Sequence, residues 1–400
     1  MFSSILKPTF FYKYLILSLL FSSFKISGQM TIVKSQKWSE RAANSVMNNY
    51  PKAWQIDDNK KPKWDYKMGF LLFAFDKLYQ KTNNYTYLNY IKDYTDELIE
   101  SSGEIKGYNV SDYNIDFVNP GNVLFTLYDV TKEEKYNQVM LQLRDQIKNQ
   151  PRTASGGFWH KQIYPNQLWV DGLYMAEPFY TRYTVGYENG DSLDDIALQF
   201  SLVHDHFTDE RTGLLYQCWD ESKQMAWADP KTGTSPTIWG RGIGWYMMAL
   251  VDVLDYYPKN HPKHKLLVSY LKEIAQSVLR YKTNSGLWYQ VTDKPMLKGN
   301  YLESSASAMF IYAYSKAANN GYLSSKYKKQ AQTSFVTFIK EFVSVDEKGN
   351  LNIKNVSPSI GLGGNPFRDG SNAYYITGRP KENGSPALAA FILSAIELDK

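Results

Sequence analysis

The stretch "YLESSASAMFIYAYSKAA", residues 301–318, decides the fold of this chain. Its apolar side chains fall on nearly every side of a helix, which is the pattern of a helix that neighbours cover on two faces. The stretch "PKHKLLVSYLKEIAQSVLRY", residues 262–281, instead carries one apolar stripe, made of Leu266, Leu267, Val268, Leu271, Ile274, Ala275 and Val278. Together the two patterns predict a layered helical fold whose inner helices are covered on both sides.

Helix-sized segments, each followed by a loop that contains Gly, Pro, Asn or Asp, recur along the chain. Helix start and stop signals predict about twelve of them, at residues 37–49, 65–80, 83–101, 117–130, 133–149, 167–186, 191–208, 239–256, 262–281, 301–318, 324–344 and 384–399. Strand-like alternation is confined to residues 214–218, 286–291 and 351–353. We therefore expect an all-α, single-domain (α/α)6 toroid of six helical hairpins with a funnel at one end. An α-solenoid is the alternative, but no fixed-period repeat supports it.

Composition limits the partners that this chain is expected to bind. The 400 residues carry a net charge of +5, and no block of basic residues stands out, so we expect no nucleic-acid partner. A weak positive balance suits a small anionic substrate. The 32 tyrosines and 10 tryptophans suit sugar rings, although a general drift toward Tyr explains them equally well. The single cysteine, Cys218, cannot form an internal disulfide, so the core must hold the fold.

The N-terminus has the pattern of a signal peptide. Lys7 and Lys13 precede an apolar run at residues 14–21, and the small residues up to Gly28 follow. We predict a signal peptide over residues 1–28 and a single (α/α)6 domain over 29–400. The protein is then exported, periplasmic or secreted, and free of the membrane after cleavage. A retained membrane anchor is the alternative, although the apolar run is short for a bilayer span.

Asp171 stands out in the stretch "GGFWHKQIYPNQLWVDGLYM", residues 156–175, because it interrupts an apolar run. With Asn166 as the expected N-cap, Asp171 falls in the second turn of a predicted helix, near its positive end. Apolar neighbours raise the pKa of a carboxyl group, which is how a general acid is prepared. A structural Asp that hydrogen-bonds a neighbouring loop is the alternative.

Asp116 is the second candidate, in "DYNIDFVNPGNVLFTLY", residues 112–128. Asp at the start of an apolar helix is usually an N-cap, so this signal is weak by itself. In a toroid, however, alternate helices run in the same direction, and Asp116 and Asp171 both lie at the N-terminal ends of predicted inner helices. The two carboxylates would then face one funnel. Two acidic groups in different environments are what glycosidic chemistry requires.

Further candidates surround this pair. Arg241 lies between glycines and can grip an anionic ligand, although a local ion pair is equally compatible. Trp219 and Trp245 can stack on sugar faces or pack in the core. The adjacent His160 and Lys161 can bind a uronate carboxylate, although a lone histidine is more often structural.

Two other stretches of the sequence bear on metal and nucleotide binding. His204 and His206 form a spaced pair without a third ligand nearby, so we expect no metal site. The stretch "GLGGNPFRDG", residues 361–370, lacks the Lys-Ser/Thr of a phosphate-binding loop. We interpret it as a loop over the funnel.

The chain resembles glycoside hydrolase family 105, the unsaturated rhamnogalacturonyl hydrolases and their relatives. The resemblance runs in order through residues 35–399 and is carried by "YNIDFVNPGNVLF", "GGFWHK…YPNQLWVDGLYMAEPF", "YQCWDES", "WGRGIGWYMMALVDVLDYYP", "ESSASAMFIYAYSKA" and "GSPALAAFILSAIEL". It implies an (α/α)6 barrel without metal or organic cofactor. It also implies hydration of a 4,5-unsaturated uronic acid at the non-reducing end of lyase-generated oligosaccharides, which expels the next sugar.

The resemblance also implies roles for particular residues. The catalytic aspartates of the family fall on Asp171 and Asp116. His160, Arg241, Trp159 and Trp245 match substrate-contact positions.

One position departs from the family pattern. Gln217 replaces a histidine that lies in the substrate site of pectin-acting members, and glutamine carries neither a proton nor a positive charge. With the basic isoelectric point, this exchange slightly favours an ulvan-type substrate, an unsaturated glucuronyl–rhamnose-3-sulfate, over rhamnogalacturonan fragments. An inverting glycosidase acting on saturated oligosaccharides and a non-catalytic glycan-binding protein are the remaining alternatives.

Overall fold

The computed structural model describes residues 36–399, which fall in one compact unit. The predicted signal peptide, residues 1–28, therefore lies outside the described residues. The helices are α1 (Trp38–Asn49), α2 (Tyr66–Thr82), α3 (Tyr85–Leu98), α4 (Leu124–Thr131), α5 (Glu134–Asn149), α6 (Gly172–Tyr187), α7 (Leu193–Phe207), α8 (Gly240–Val253), α9 (His264–Arg280), α10 (Ser304–Asn319), α11 (Ser325–Phe342), α12 (Asn372–Thr377) and α13 (Ser385–Leu398). Two short antiparallel hairpins are formed by β1 (Gln167–Trp169) with β2 (Cys218–Asp220), and by β3 (Val343–Val345) with β4 (Leu351–Ile353).

The long helices form two concentric rings. In the inner ring, α2 packs beside the 3-10 helix Asn119–Val123 that leads into α4, followed in turn by α6, α8, α10 and α13. The ring closes because α13 packs against α2. The outer ring consists of α1, α3, α5, α7, α9 and α11, each packed against an inner helix. The predicted all-α (α/α)6 toroid is therefore confirmed.

Burial follows the sequence pattern that distinguishes the two rings. Residues 304–317 of α10 and all residues of α8 are buried, because each helix has neighbours in its own ring and in the outer ring. In α9 the buried positions form one stripe, so the opposite face remains in water. Hydrophobic burial of the inner ring is the main stabilising contribution.

A buried ion pair joins two inner helices. Lys316 of α10 lies 2.6 Å from Asp252 of α8 and 2.6 Å from Asp255, which follows that helix. Tyr312 also donates a hydrogen bond of 2.6 Å to Asp252. Each charged group is therefore compensated inside the core, as burial requires.

Three local predictions are corrected by the structure. The helix predicted from residue 167 begins at Gly172, because Gln167–Trp169 pair with Cys218–Asp220 and form β1. The helix predicted from residue 117 begins at Leu124, after two short 3-10 helices. Of the predicted strands, residues 351–353 are confirmed, whereas residues 286–291 form only isolated bridges. None of the helices within residues 36–399 combines the length and apolar character needed to cross a bilayer.

Candidate active site

A cavity of about 310 Å³ opens at one end of the ring, where loops before the inner helices meet. Both predicted carboxylates, Asp116 and Asp171, line it. The other lining residues come from the segment before α2 and the first turn of α2, from the 3-10 segment before α4, from the loop before β1 and the end of β1, and from the loop after β4. They are Asn59, Lys63, Asp65, Tyr66, Lys67, Asn114, Phe117, His160, Lys161, Tyr164, Trp169, Ser359, Ile360, Gly361 and Arg368. The site is thus assembled from segments that are far apart in the sequence.

Asp116 is held in a cationic environment. It lies in the 3-10 helix Ile115–Phe117, where its backbone N–H donates to the Asn114 side chain over 3.1 Å. One carboxylate oxygen lies 2.6 Å from Nζ of Lys161, and the other lies 3.3 Å from Nε2 of His160. Burial alone would raise the pKa of Asp116, but these two neighbours reverse the effect and hold the pKa well below its usual range. Asp116 is therefore ionised.

Asp171 has the opposite environment. It occupies the N-cap position of α6, yet its side chain caps no backbone N–H of the helix. Its Oδ1 atom is buried and has no hydrogen-bond partner among residues 36–399. Burial raises the pKa of Asp171, His160 opposes that rise, and the negative charge of Asp116 adds to it. Asp171 therefore keeps its proton to a higher pH than an ordinary carboxyl group.

This separation of the two pKa values defines the chemistry available to the site. A carboxyl group that retains its proton can act as a general acid, while a neighbouring carboxylate stabilises positive charge or accepts a proton. The sequence predicted that the two carboxylates share one cavity, and their placement agrees. The sequence did not predict that the pKa of Asp116 is lowered, because the contacts with Lys161 and His160 depend on the fold.

The loop that carries His160 is fixed to the Asp116 segment through its backbone. The His160 N–H donates to the Gln167 carbonyl over 3.0 Å, and the His160 carbonyl accepts from the Ile115 N–H over 3.0 Å. The imidazole stacks on Trp169, with ring centroids 5.0 Å apart and an angle of 18° between the planes. A Cβ atom on Gly172 would lie 3.1 Å from Nδ1 of His160, so glycine at this position admits the ring.

An aromatic and cationic wall completes the cavity. Tyr164 also stacks on Trp169, with centroids 5.2 Å apart. Arg368, from the glycine-rich loop after β4, donates to the carbonyls of Gly363 and Leu362 at 2.8 and 3.0 Å. Gly361 permits this placement, because a Cβ atom there would lie 2.5 Å from the guanidinium. The loop predicted to cover the funnel does line it.

Five residues predicted to bind substrate do not line this cavity: Trp159, Gln217, Trp219, Arg241 and Trp245. Trp245 is buried beneath the site, stacked on Tyr174 at 4.9 Å. Trp219 stacks on His206 at 4.0 Å and faces a different cavity of about 610 Å³.

Gln217 and Arg241 are also engaged inside the protein. Gln217 accepts a hydrogen bond from the Tyr375 hydroxyl and is buried. Arg241 donates to Ser305 at 3.2 Å and to the carbonyls of Ser357 and Pro358 at 2.8 and 2.5 Å. It forms no ion pair with residues 220–221, and it lines a neighbouring cavity of about 250 Å³.

Several lining residues were not predicted as ligands: Tyr66, Lys67, Tyr164, Trp169 and Arg368. Trp169 had a signal in the sequence, since it lies two residues before Asp171. Lys67 and Arg368 gave none, because isolated basic residues are common on surfaces. Among the described residues, no three His, Cys, Asp or Glu side chains come close enough together to hold a metal ion.

The ring and the paired carboxylates define a class of protein, the helical-toroid glycoside hydrolases. Residues 38–400 match the profile of Glycosyl Hydrolase Family 88, and the chain belongs to that family. Its structure is similar to that of a family 105 glycoside hydrolase from C. acetobutylicum, with 39% sequence identity, a TM-score of 0.87, and coverage of 91% of this chain and 99% of that chain. The expected family 105 membership is thereby confirmed, and the protein is a hydrolase of glycosidic bonds.

Two characterised relatives are more distant. The unsaturated rhamnogalacturonyl hydrolase YesR of Bacillus subtilis is 27% identical over 284 residues, which cover 70% of this chain and 77% of that protein. The unsaturated 3S-rhamnoglycuronyl hydrolase of Alteromonas sp. is 22% identical over 211 residues, which cover 52% of this chain and 48% of that protein.

Proposed function

We propose that this protein removes a 4,5-unsaturated uronic acid from the non-reducing end of uronic acid–rhamnose oligosaccharides that polysaccharide lyases release. The observation that carries the proposal is the pair of carboxyl groups in one cavity with pKa values shifted in opposite directions. An enol ether needs a strong proton donor at C4, and a raised carboxyl pKa keeps that proton available at neutral pH.

In the proposed mechanism, Asp171 donates its proton to C4 of the unsaturated ring, and positive charge develops at C5 and the ring oxygen. The ionised Asp116 stabilises this charge. The Asp171 carboxylate then accepts a proton from water as the water oxygen bonds to C5. The product is a hemiketal, which opens to a ketone and releases the next sugar. One carboxyl group therefore serves as acid and then as base, and no covalent enzyme intermediate is required.

The cations of the cavity suit an anionic substrate. Lys67 and Arg368 line the same wall as the catalytic pair, and neither forms an ion pair with a described carboxylate within 4.0 Å. The Nε and Nη2 atoms of Arg368 donate to the carbonyls of Gly363 and Leu362, so its Nη1 atom is the donor that we assign to a substrate carboxylate. We assign these two residues to the uronate carboxylate. His160 and Lys161, which were also predicted to bind this carboxylate, line the cavity and contact Asp116.

Two substrates fit the proposal. The ulvan-type substrate, with a sulfated rhamnose, is the first candidate. The exchange at Gln217 does not favour it in the structure, because Gln217 is buried against Tyr375 and does not line the cavity. The second candidate is the rhamnogalacturonan type, which is favoured by the higher identity to YesR over a longer part of the chain.

The proposal is tested by the loss of ultraviolet absorbance when the double bond is hydrated. Purified protein is incubated separately with lyase-digested ulvan and lyase-digested rhamnogalacturonan, and the products are identified by mass spectrometry. We expect Asp171→Asn to reduce turnover about 10²–10⁴-fold. Asp93→Asn, an exposed carboxyl on the outer helix α3, is the matched control and should leave the rate unchanged. An Asp171→Asn variant with the wild-type rate contradicts the assignment.

Saturated oligosaccharides distinguish this mechanism from ordinary inverting hydrolysis. Hydration requires the C4=C5 bond, so the saturated analogue of the preferred disaccharide should show no turnover. Hydrolysis of both substrates at similar rates would support an inverting glycosidase, with Asp171 as acid and Asp116 as base. Binding of both without turnover would support the glycan-binding alternative.

We also propose that residues 1–28 direct export and that the enzyme works in the periplasm or outside the cell. The apolar run at residues 14–21 and the small residues up to Gly28 support this proposal. N-terminal sequencing of protein recovered from the periplasm and the medium is the test. A chain that retains residue 1 and stays in the cytoplasm contradicts it.

A further inference from the structure

A second cavity shares His160 and Trp169 with the cavity of the candidate active site. Its volume is about 20 Å³, and every residue that lines it is buried. The lining is mostly apolar, contributed by Ile115, Phe158, Leu168, Trp169, Gly172, Leu173 and Val203. A water molecule needs a cavity of about 10–15 Å³ and two or more polar partners. The volume therefore suits one water molecule, provided that the lining supplies the partners.

Polar atoms without protein partners converge on this cavity. Both carboxyl oxygens of Glu177 and the Nδ1 atom of His160 are buried, and none has a hydrogen-bond partner among residues 36–399. Gln199 also lines the cavity, but its amide is already used, since it accepts from Phe158 N–H at 2.9 Å and donates to Gly156 and Asp195. Glu177 and His160 therefore provide the free donor and acceptor capacity.

The tautomer of His160 fixes the direction of these hydrogen bonds. Its Nε2 atom faces Oδ1 of the ionised Asp116 at 3.3 Å, and a carboxylate can only accept. Nε2 must therefore carry the hydrogen. The other ring nitrogen, Nδ1, is buried and has no partner among residues 36–399, so it needs a hydrogen-bond partner from the cavity side.

We propose that one buried water molecule joins the Glu177 carboxyl group to Nδ1 of His160, and that Glu177 thereby positions the imidazole that holds Asp116. The Glu177 hydroxyl donates to the water, the water donates to Nδ1, and Nε2–H donates to Asp116. Glu177 is a positioning residue, since it touches neither substrate nor reacting atoms. The existence of this hydrogen-bond chain does not depend on the proposed function. Only its expected effect on turnover rests on the proposed function.

The surroundings of Glu177 favour the neutral, donating form. Arg152 is the basic residue whose positive charge acts on Glu177. Its guanidinium, however, donates two hydrogen bonds of 2.7 Å to Asp195. Tyr180 donates to the same Asp195 carboxylate over 3.0 Å. Burial raises the pKa of Glu177 well above its ordinary value, and the charge of Asp195 adds to this while Arg152 opposes it. A neutral carboxyl group still requires a hydrogen-bond partner when buried.

The hydrogen-bond chain is tested directly without any substrate. A crystal structure at high resolution should show density for one water molecule within hydrogen-bonding distance of Glu177 and Nδ1 of His160. The chain contains five histidines, so nitrogen NMR on ¹⁵N-histidine-labelled protein gives a simple spectrum. We expect the His160 signals, assigned by their absence in His160→Gln, to report the Nε2–H tautomer. A cavity without water density, or a His160 that carries its hydrogen on Nδ1 alone, overturns the proposal.

Two variants test the consequence for catalysis. Glu177→Gln keeps a donor and an acceptor of similar shape, so kcat should stay within about twofold of wild type. Glu177→Met keeps the length of the side chain but removes the hydrogen bond to the water. Loss of a positioning hydrogen bond of typical strength should lower kcat about tenfold with little change in KM. The His160 signals should change in Glu177→Met and not in Glu177→Gln.

Stability measurements separate positioning from folding. Glu177→Met removes one hydrogen-bond partner of the water and leaves Nδ1 of His160 less well satisfied, so Tm should fall by about 1–4 °C while unfolding stays cooperative. If both variants keep the wild-type kcat and Tm, Glu177 does not position His160. If the wild-type enzyme hydrates no unsaturated uronide, the proposed function fails, but the water density and the His160 tautomer still decide this inference.

Discussion

Replacing Lys161 with methionine tests the electrostatic design of the candidate site. The lysine ammonium lies 2.6 Å from Asp116, and its side chain is 24% exposed. At an effective dielectric constant of about 20, the attraction at that distance is about 6 kcal/mol. Part of it offsets the cost of desolvating both groups, and Asp116 retains His160 at 3.3 Å. We therefore expect a loss of about 3 kcal/mol, near the lower end for a broken buried pair.

The loss should depend on pH in a defined direction. The pKa of Asp116 is lowered in the folded protein, so its contribution to stability is present above the ordinary carboxyl pKa of about 4 and is lost as the pH falls through the lowered value. The pKa of Lys161 is raised, although burial opposes the rise, so its contribution is lost only as the pH rises through that value. The full difference between wild type and Lys161→Met is thus expected from about pH 5 to pH 10.

Thermal and denaturant unfolding measure this difference. For a chain of 400 residues, about 3 kcal/mol corresponds to a fall in Tm of about 4 °C. The matched control is Lys106→Met, which breaks a pair of 3.0 Å with Glu100 in which both side chains are about half exposed. An exposed pair should contribute less than about 1 kcal/mol. Equal effects of the two substitutions at pH 7, or a Lys161→Met effect that has already disappeared at pH 5, would refute the reasoning.

Three further outcomes follow from the structure. The raised pKa of Asp171 predicts that kcat/KM falls only as the pH rises well above the ordinary carboxyl pKa of about 4. A pH–rate profile in which kcat/KM already falls at or below about pH 4 contradicts the assignment of Asp171 as the acid. Gly172→Ala places a Cβ atom 3.1 Å from Nδ1 of His160, so kcat should fall about tenfold with a change in Tm of at most about 2 °C; an unchanged kcat argues against a precise imidazole position. Lys316→Met leaves Asp252 buried without its cation, and denaturant unfolding should show a loss of about 3–5 kcal/mol, whereas a loss below about 1 kcal/mol would mean that water reaches the pair.

The inner and outer helices could be predicted because their signals are local. Residues 304–317 are all buried, as apolar side chains on nearly every side of the helix indicate, and α9 shows its stripe. The start of α6 was misplaced because residues 167–169 pair with β2, about fifty positions along the chain. A strand of three residues has too few positions for an alternating pattern, so only its distant partner identifies it.

The candidate site was predicted where a residue's own sequence neighbours determine its environment. Asp171 among apolar residues is such a case, and burial does raise its pKa. Arg241 is the opposite case. Its partners are the carbonyls of Ser357 and Pro358, which lie more than one hundred residues away. From the sequence alone, an arginine between glycines therefore looks free to bind a ligand. In the folded protein its guanidinium already donates hydrogen bonds to these carbonyls.

The closure of the ring by α13 against α2 has a consequence for biosynthesis. The cavity that holds Asp116 and Asp171 is also lined by Tyr66 and Arg368, residues from the two ends of the described chain. A ribosome that has released the first five hairpins has therefore produced both candidate carboxylates, but not the loop that carries Arg368. We expect the chain to gain activity only after its last helix docks. A protein fused after α13 would therefore be synthesised only when every helix of the ring has already been made.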